Sequence, residues 1–203
     1  LINKSLCKGV KMKGTKTLTQ KELKTFLDLI SNFRHAERDR LVIAFTFYSA
    51  MRIGEVAQLL WEDVLDKNYV TLTEIHFNKD QVKAKEHQKV LINNKLRLEI
   101  KRYLEWYIQQ NKKIDLNKPL IQTQKYTAFS ANSLCQHVNA LYSKCNLKHV
   151  TSHTGRKTYI TTLANKSINI KVIMKLARHK HLSTTQRYIE TNDEQLKEAN
   201  ELV

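Results

Sequence analysis

Residues that interrupt regular structure are scarce in this chain. Its 203 residues include only four glycines and one proline, Pro119. Because glycine and proline most often end helices and strands, their scarcity favours long helices over many short strands. The length is that of one ordinary domain. We therefore expect a single, mainly helical domain.

Hydrophobic periodicity predicts where the helices lie. Thr19 and Glu22 fit a capping box, and apolar residues follow at helical spacing. A second helix, apolar on most sides and therefore central, is predicted over 36–48. A third helix is predicted from about residue 52, with an apolar face that reaches Leu60. Six further helices are predicted, over 93 or 94 to 110, 130–145, 154–166, 169–177, 184–191 and 193–202.

One part of the chain has the composition of strands. Residues 69–77 are rich in Tyr, Val, Thr and Ile, residues 78–80 are typical of a turn, and residues 82–92 supply one or two further strands. The predicted fold is mainly α with a small antiparallel β-sheet, an α+β class. We expect residues 1–17 to be a basic lead-in and residues 18–203 to form the domain.

Acidic residues are missing from a long part of the chain. No Asp or Glu occurs from Leu116 to Ile189, a span of 74 residues that holds 12 of the 35 basic residues. The rest of the chain carries 23 basic and 19 acidic residues, so it contributes only four of the net +16 charges. A folded region without carboxylates suits a polyanion, and nucleic acid is the polyanion we expect. A generally basic surface without such a partner is the alternative.

The sequence argues against a membrane or secreted protein. Its longest apolar stretch, residues 41–51, is well short of the roughly 20 residues that cross a bilayer. No signal-peptide pattern opens the chain, and the three cysteines fit neither a disulfide framework nor a zinc site. We expect a cytoplasmic protein, associated with the nucleoid, that needs no metal or cofactor. Since the first residue is Leu1 and not Met, we expect the chain to be an excerpt of a longer one.

Four residues of the acid-free region can carry chemistry. His153 and Arg156 lie three positions apart at the start of a predicted helix, on one face. Free backbone amides and the positive end of the helix dipole make that place suitable for a phosphate. His179 and Tyr188 follow further along the same region. An imidazole can handle protons, and a tyrosine hydroxyl can act as a nucleophile.

A second arginine, Arg52, lies at the junction of two apolar helices outside that region. A guanidinium there needs either an anionic ligand or a carboxylate partner, and Glu55, three residues on, is one candidate partner. Two arginines, two histidines and a tyrosine are the set expected for moving a phosphodiester onto a hydroxyl without a metal. The cations neutralise charge on the non-bridging oxygens of the transition state.

In their order and spacing these residues resemble the catalytic domain of the tyrosine recombinase or phage integrase family. The resemblance runs from about Leu18 to the C-terminus and rests on the segments SAMRIGEV at 49–56, HTGRK at 153–157 and LARHKHLSTTQRY at 176–188. It implies the fold of that catalytic domain and a site-specific DNA recombinase of a mobile element, a phage or a chromosome-resolving system. It also implies a reaction that requires neither ATP nor a divalent ion.

The resemblance implies a role for each residue of the set. Tyr188 attacks the scissile phosphate, which leaves a 3′-phosphotyrosyl link and a free 5′-hydroxyl. Arg52, Arg156 and His179 clamp the phosphate, and His153 assists proton transfer. In the family, a lysine on a strand–turn–strand segment protonates the departing oxygen. We assign this role to Lys83 of the predicted hairpin, with Lys85 as the second candidate and Lys79 as the third.

The chain departs from the family pattern at several positions. Gly155 and Lys157 replace the usual Leu and His, and Ala177 with Arg178 replaces a pair that normally ends in Gly. None of these changes removes a reactive group. Arg178 is expected either to add a DNA contact or to crowd its turn.

The same resemblance implies the partners. Double-stranded DNA is expected to contact the basic side chains of Lys85, Lys144, Lys148, Lys157, Lys171, Arg178 and Lys180. Two strand exchanges require four protomers on two duplexes, so we expect a homotetramer on DNA. Residues 193–203 are a candidate helix for docking on a neighbour, or else for packing on their own domain. The family's N-terminal DNA-clamping domain has no counterpart in residues 1–17.

Two other functions fit much of the same pattern. A type IB topoisomerase uses the same chemistry with a single protomer and relaxes supercoils. A DNA-binding protein of this fold with a silent active site would keep the basic surface without the reaction. A metal-dependent relaxase fits less well, since His179 and His181 flank a lysine and no third ligand lies at a suitable spacing.

Overall fold

The computed structural model describes residues 15–77, 88–110, 112–188 and 200–201. Within these residues it has eight α-helices, a short 3-10 helix at Trp61–Asp63 and two strands. In chain order the elements are α1 Gln20–Ile30, α2 Ala36–Ser49, α3 Ile53–Ala57, β1 Glu74–Phe77, β2 Gln88–Leu91, α4 Asn94–Gln109, α5 Ala131–Lys144, α6 Thr154–Asn165, α7 Ile170–Ala177 and α8 Leu182–Gln186. This confirms the predicted fold class.

The sheet is a two-stranded antiparallel hairpin. Glu74 pairs with Leu91 and Phe77 with Gln88. The predicted strand over 69–77 was too long at its start, because Tyr69 has a φ of 61° and belongs to a turn. The Asp66 carboxylate stabilises that turn by accepting two backbone N–H groups.

Helix α2 is the centre of the domain, as its all-round apolar sequence predicts. Val42, Ile43 and Phe45, on different sides of the helix, are all fully buried. Helices α4, α6, α1 and α3 pack around it. The C-terminal end of α2 therefore lies deep in the fold, where several elements meet.

Helix α1 begins as the sequence predicts. The Thr19 side chain accepts the N–H of Glu22, and the Glu22 carboxylate accepts the N–H of Thr19. The helix predicted from about Arg52 is shorter than expected, because it ends at Ala57. Leu59 and Trp61 form backbone hydrogen bonds with residues 118–120 instead, which hold the chain in an extended form.

The other helix ends lie within a few residues of their predicted positions, except near the C-terminus. Helix α8 covers 182–186 and not 184–191, so Tyr188 follows the helix in a turn. The helix predicted over 193–202 lies almost wholly outside the described residues. None of the helices that the structure describes is both long and apolar enough to span a membrane.

Residues 15–18 run along helix α6 and bind it through three polar contacts. The Lys157 ammonium donates to the Thr15 carbonyl at 2.9 Å, and the Leu18 N–H donates to the Thr158 hydroxyl at 3.0 Å. The hydroxyls of Thr15 and Thr154 lie 2.8 Å apart. These contacts fasten the segment that precedes α1 to the helix that carries Arg156.

Candidate active site

Arg156 joins the ends of two helices. Its Nη1 donates to the carbonyl of Ala50, the C-cap of α2, and its Nη2 donates to the carbonyl of Ala177, the last residue of α7. Carbonyls at a helix C-terminus lack intrahelical partners and form the negative end of the dipole, so a buried guanidinium is well accommodated there. These contacts use two of the five guanidinium N–H groups and leave others for a ligand.

Arg52 reaches the same place from the start of α3. Its Nη1 lies 2.8 Å from Glu55 Oε1, and its backbone N–H donates to Glu55 Oε2 at 2.8 Å. Its Nη2 lies 3.5 Å from the carbonyl of Arg178, beside the carbonyl that Arg156 binds. The Arg52 side chain is 42% exposed, so Glu55 orients it without removing it from solvent. The two guanidinium groups therefore converge on the C-terminal end of α7.

Arg178 lies in this cluster and not on the exposed surface. Its Nη2 lies 2.6 Å from Glu55 Oε2, and its side chain is only 3% exposed. This corrects the expectation that Arg178 contacts DNA. Its backbone has a φ of 55°, in the left-handed region. That conformation ends α7 with a Schellman-type turn, in which the His179 N–H donates to the Met174 carbonyl.

The turn after α7 places His179 next to Tyr188. The His179 Nδ1 lies 2.9 Å from the hydroxyl of Thr185, a buried residue of α8. The imidazole and phenol rings are nearly parallel, with centroids 5.9 Å apart. Since Nδ1 is occupied by Thr185, Nε2 is the ring nitrogen left for a ligand. The contact between His179 and Thr185 was not predicted from the sequence. The one signal that could have indicated it is that Thr185 lies in the same motif, 176–188, as His179.

The concentration of positive charge shifts the titration of this cluster. Burial, followed by repulsion from Arg52 and Arg178, lowers the pKa of Arg156 to about 9, so Arg156 stays charged at neutral pH. Burial, followed by repulsion from Arg156, Arg52 and Arg178, lowers the pKa of His179 to about 4. His179 is therefore a neutral imidazole at neutral pH, beside guanidinium groups that carry the charge.

Glu55 is the acidic member of the cluster. Burial alone would raise its pKa, but the charge of Arg178, together with the N–H and guanidinium of Arg52, lowers it overall. It therefore remains a carboxylate between the two arginines. Sequence reasoning considered Glu55 as a partner for Arg52, and its second partner, 123 positions away, was not predicted.

Two of the predicted catalytic residues are not part of the contacts above. His153 is exposed at the N-cap of α6, one turn before Arg156. Lys83 lies outside the described residues, and so do the alternatives Lys85 and Lys79.

Among the predicted DNA contacts, four lysines are exposed: Lys144, Lys148, Lys171 and Lys180. Lys157 is half-buried and its ammonium binds the Thr15 carbonyl. This internal hydrogen bond was not predicted, and a DNA contact from the remaining ammonium N–H groups of Lys157 stays a prediction. In the part of the chain that the structure describes, no three His, Cys, Asp or Glu side chains are grouped as a metal site.

The fold is that of DNA recombinases and integrases. The structure of the Tn1549 transposon integrase in complex with a circular intermediate DNA superposes with a TM-score of 0.74, at 19% identity, over 96% of this chain and 68% of that one. The crystal structure of XerA recombinase gives a TM-score of 0.69 at 21% identity, over 92% of this chain and 64% of that one.

The sequence assigns the family within that fold. The model of the phage integrase family matches residues 16–195, so the chain belongs to that family. Tyrosine recombinase XerA of Pyrococcus horikoshii is 27% identical over 187 residues, which are 92% of this chain and 60% of that protein. Transposase A from transposon Tn554 of Staphylococcus aureus is 25% identical over 202 residues, 93% of this chain and 52% of the transposase. The chain thus spans between about half and three fifths of these relatives' length.

Proposed function

We propose that this chain is the catalytic part of a site-specific DNA recombinase that acts for a mobile element or phage. One observation carries the proposal: Arg52 and Arg156 meet at the C-terminal end of α7, where the next residues bring His179 beside Tyr188. A phosphate placed there meets two guanidinium groups, an imidazole and a phenol. Family membership and the likeness to recombinase structures support the same reaction.

Each residue has a distinct task in the proposed reaction. The Tyr188 oxygen attacks the phosphorus, the bond to the 5′-oxygen breaks, and a 3′-phosphotyrosyl link forms. Arg52 and Arg156 stabilise the charge that develops on the non-bridging oxygens, and neutral His179 donates a hydrogen bond from Nε2. His153 assists proton transfer, and Lys83 protonates the departing 5′-oxygen. Because the phosphotyrosyl bond conserves the energy of the phosphodiester, rejoining needs no ATP.

The partner in this proposal is double-stranded DNA. The acid-free region places the exposed side chains of Lys144, Lys148, Lys171 and Lys180 on the same half of the sequence as Arg156. Solved relatives of this fold are described as bound to DNA, including the Tn1549 integrase and XerH bound to a difH substrate. Exchange of both strands between two duplexes would use four copies of the chain.

The first prediction tests the nucleophile. Nicked suicide duplexes, tiled through the DNA that flanks the gene, should trap the wild-type protein as a covalent adduct without magnesium. Tyr188→Phe should form none, because the attacking oxygen is gone. Tyr126→Phe removes a phenol hydroxyl from an exposed turn and should leave the adduct unchanged. The measurement is a slow-migrating band on a denaturing gel.

The same experiment separates the alternatives. An adduct that persists in Tyr188→Phe would contradict the assigned nucleophile. DNA binding with no adduct on any duplex would favour a DNA-binding protein with a silent site. Relaxation of supercoiled plasmid by a protein that never exchanges strands between duplexes would favour a type IB topoisomerase.

A further inference from the structure

We propose that Arg178 is a positioning residue of the phosphate site, which holds the Glu55 carboxylate so that Glu55 can orient Arg52. The proposal rests on the function proposed above. It concerns a residue that departs from the family pattern, in which a glycine precedes the histidine.

The contacts form a chain from the interior to the surface. Arg178 Nη2 lies 2.6 Å from Glu55 Oε2, and Glu55 Oε1 lies 2.8 Å from Arg52 Nη1. Exposure increases along the same path, from the buried side chains of Arg178 and Glu55 to the partly exposed Arg52. Arg178 is too deeply buried to touch DNA, so the contact through which its side chain can position a phosphate-binding group is the one with Glu55.

Two features of Arg178 are unfavourable by themselves. A residue with a Cβ is strained at a φ of 55°, where glycine would not be. Among the described residues, its Nε and Nη1 are buried without a hydrogen-bond partner, and a desolvated polar group of this kind is costly. The ion pair with Glu55 is the interaction that compensates for both, since it is the one charged contact of this side chain in the described part of the molecule.

The charge balance explains what Arg178 adds. The site holds three guanidinium groups and one carboxylate, from Arg52, Arg156, Arg178 and Glu55, so its net charge is about +2. This charge matches a phosphodiester that gains a second negative charge in its transition state. Without Arg178, the backbone N–H of Arg52 is the one contact named above that would still hold Glu55 Oε2. The carboxylate would then be free to rotate, and the Arg52 guanidinium would lose its fixed orientation beside the phosphate.

The test compares Arg178→Gly with Arg178→Lys in the suicide-duplex assay. Since misplacing a group that contacts the reacting atoms costs up to about 100-fold, Arg178→Gly should slow cleavage about 10- to 100-fold while DNA affinity changes less than about threefold. Arg178→Lys keeps the charge and should recover most of the rate. Ser167→Gly is the matched control, because it relieves the strain of a left-handed backbone, with a φ of 54°, in an exposed loop. This variant should cleave DNA at the wild-type rate.

A double-mutant cycle separates positioning from general stability. If Arg178 acts through Glu55, Arg178→Gly should cost little further rate in a Glu55→Gln background. Thermal unfolding checks folding directly, and Arg178→Gly should stay folded because glycine suits this backbone. Wild-type cleavage by Arg178→Gly, or fully additive losses in the cycle, would overturn the proposal.

A measurement without DNA distinguishes this proposal from the proposed function. The ¹⁵N NMR signal of the Arg52 Nε–H should shift or broaden in Arg178→Gly, because Glu55 no longer holds Arg52 in one orientation. If the wild type forms no covalent adduct but the Arg52 signal changes, the function fails and the positioning stands. An Arg52 signal unchanged by Arg178→Gly refutes the positioning whatever the DNA assay gives.

Discussion

His179 shows how a single residue can be tuned by its neighbours. Burial, and after it repulsion from three arginines, keep its imidazole neutral, with a pKa of about 4 in place of 6.5. A positive charge on the imidazole would be repelled by the same guanidinium groups that are proposed to bind the phosphate. In the proposed function its neutral form donates one hydrogen bond to the phosphate from Nε2, while Nδ1 accepts a hydrogen bond from the Thr185 hydroxyl.

The protonation of His179 is testable by NMR. The folded protein should take up a proton at His179 only near pH 4, whereas the unfolded chain does so near 6.5. The stability that this residue contributes is therefore fully present above pH 6.5 and is lost as the pH falls toward 4. Histidine ¹⁵N chemical shifts follow the titration, with His179→Gln to assign the signal. A midpoint above pH 6 would contradict the burial and charge that the site imposes.

At the scale of elements, the site depends on how closely α6 approaches α2. A Cβ built on Gly155 would overlap the Thr46 hydroxyl and lie 2.7 Å from Phe47 Cδ2. The absence of a side chain at residue 155 therefore sets the distance between the two helices. That distance in turn lets Arg156, the next residue, reach the Ala50 carbonyl at the end of α2.

Gly155→Ala should therefore destabilise the domain. Overpacking of a tight interface typically costs about 1–3 kcal/mol, which outweighs the gain of up to about 1 kcal/mol that alanine brings to a helix interior. Urea unfolding measures the loss. Gly54→Ala is the matched control, because among the described residues its Cβ would meet just the Cβ of Ala131, at 3.2 Å. Equal stability of the Gly155 variant and the wild type would show that α6 can move away without cost.

At the scale of the whole molecule, the uneven distribution of charge should govern the proposed DNA binding. The acid-free region carries 12 basic residues, and the rest of the chain is nearly balanced. The logarithm of the binding constant for a nonspecific duplex should fall linearly with the logarithm of the salt concentration. The slope should be about 0.9 per phosphate contact. Substituting Lys144 and Lys148 together by Ala should weaken binding and reduce that slope by up to about two units.

The control for this prediction removes the same charge elsewhere. Lys24 on α1 and Lys67 in the turn before β1 are exposed and lie outside the acid-free region. Substituting both by Ala should change the salt slope much less. Fluorescence anisotropy at several salt concentrations measures both pairs. Equal slopes for the two double variants would mean that the net charge, and not its placement, determines binding.

Local patterns in the sequence predicted the features that local interactions control. The capping box of α1, the central position of α2 and the start of α4 at Asn94 all follow from side chains within one or two turns. The order of the motifs, through the family resemblance, also predicted that Arg52 and Arg156 would meet. Their common position is now explained by the free carbonyls at the end of α7.

Features that depend on distant contacts were missed. The pairing of Arg178 with Glu55 joins residues 123 positions apart, and the sequence near Arg178 resembles a surface turn rich in basic residues. The chain after Ala57 leaves the helix because residues 118–120 offer backbone partners, which no nearby residue reveals. Lys157 lies in a basic segment, yet its ammonium is bound by a carbonyl of residue 15.

The three polar contacts between residues 15–18 and α6 have a mechanical consequence. We expect tension applied to the chain ahead of Thr15 to load these bonds together with those that Thr15 and Lys16 form to the His149 carbonyl. Because Thr154, Lys157 and Thr158 lie within one turn of Arg156, a pull on residues 15–18 would then be transmitted to the guanidinium between α2 and α7. The proposed reaction centre would in this way respond to force on the chain that leads into the domain.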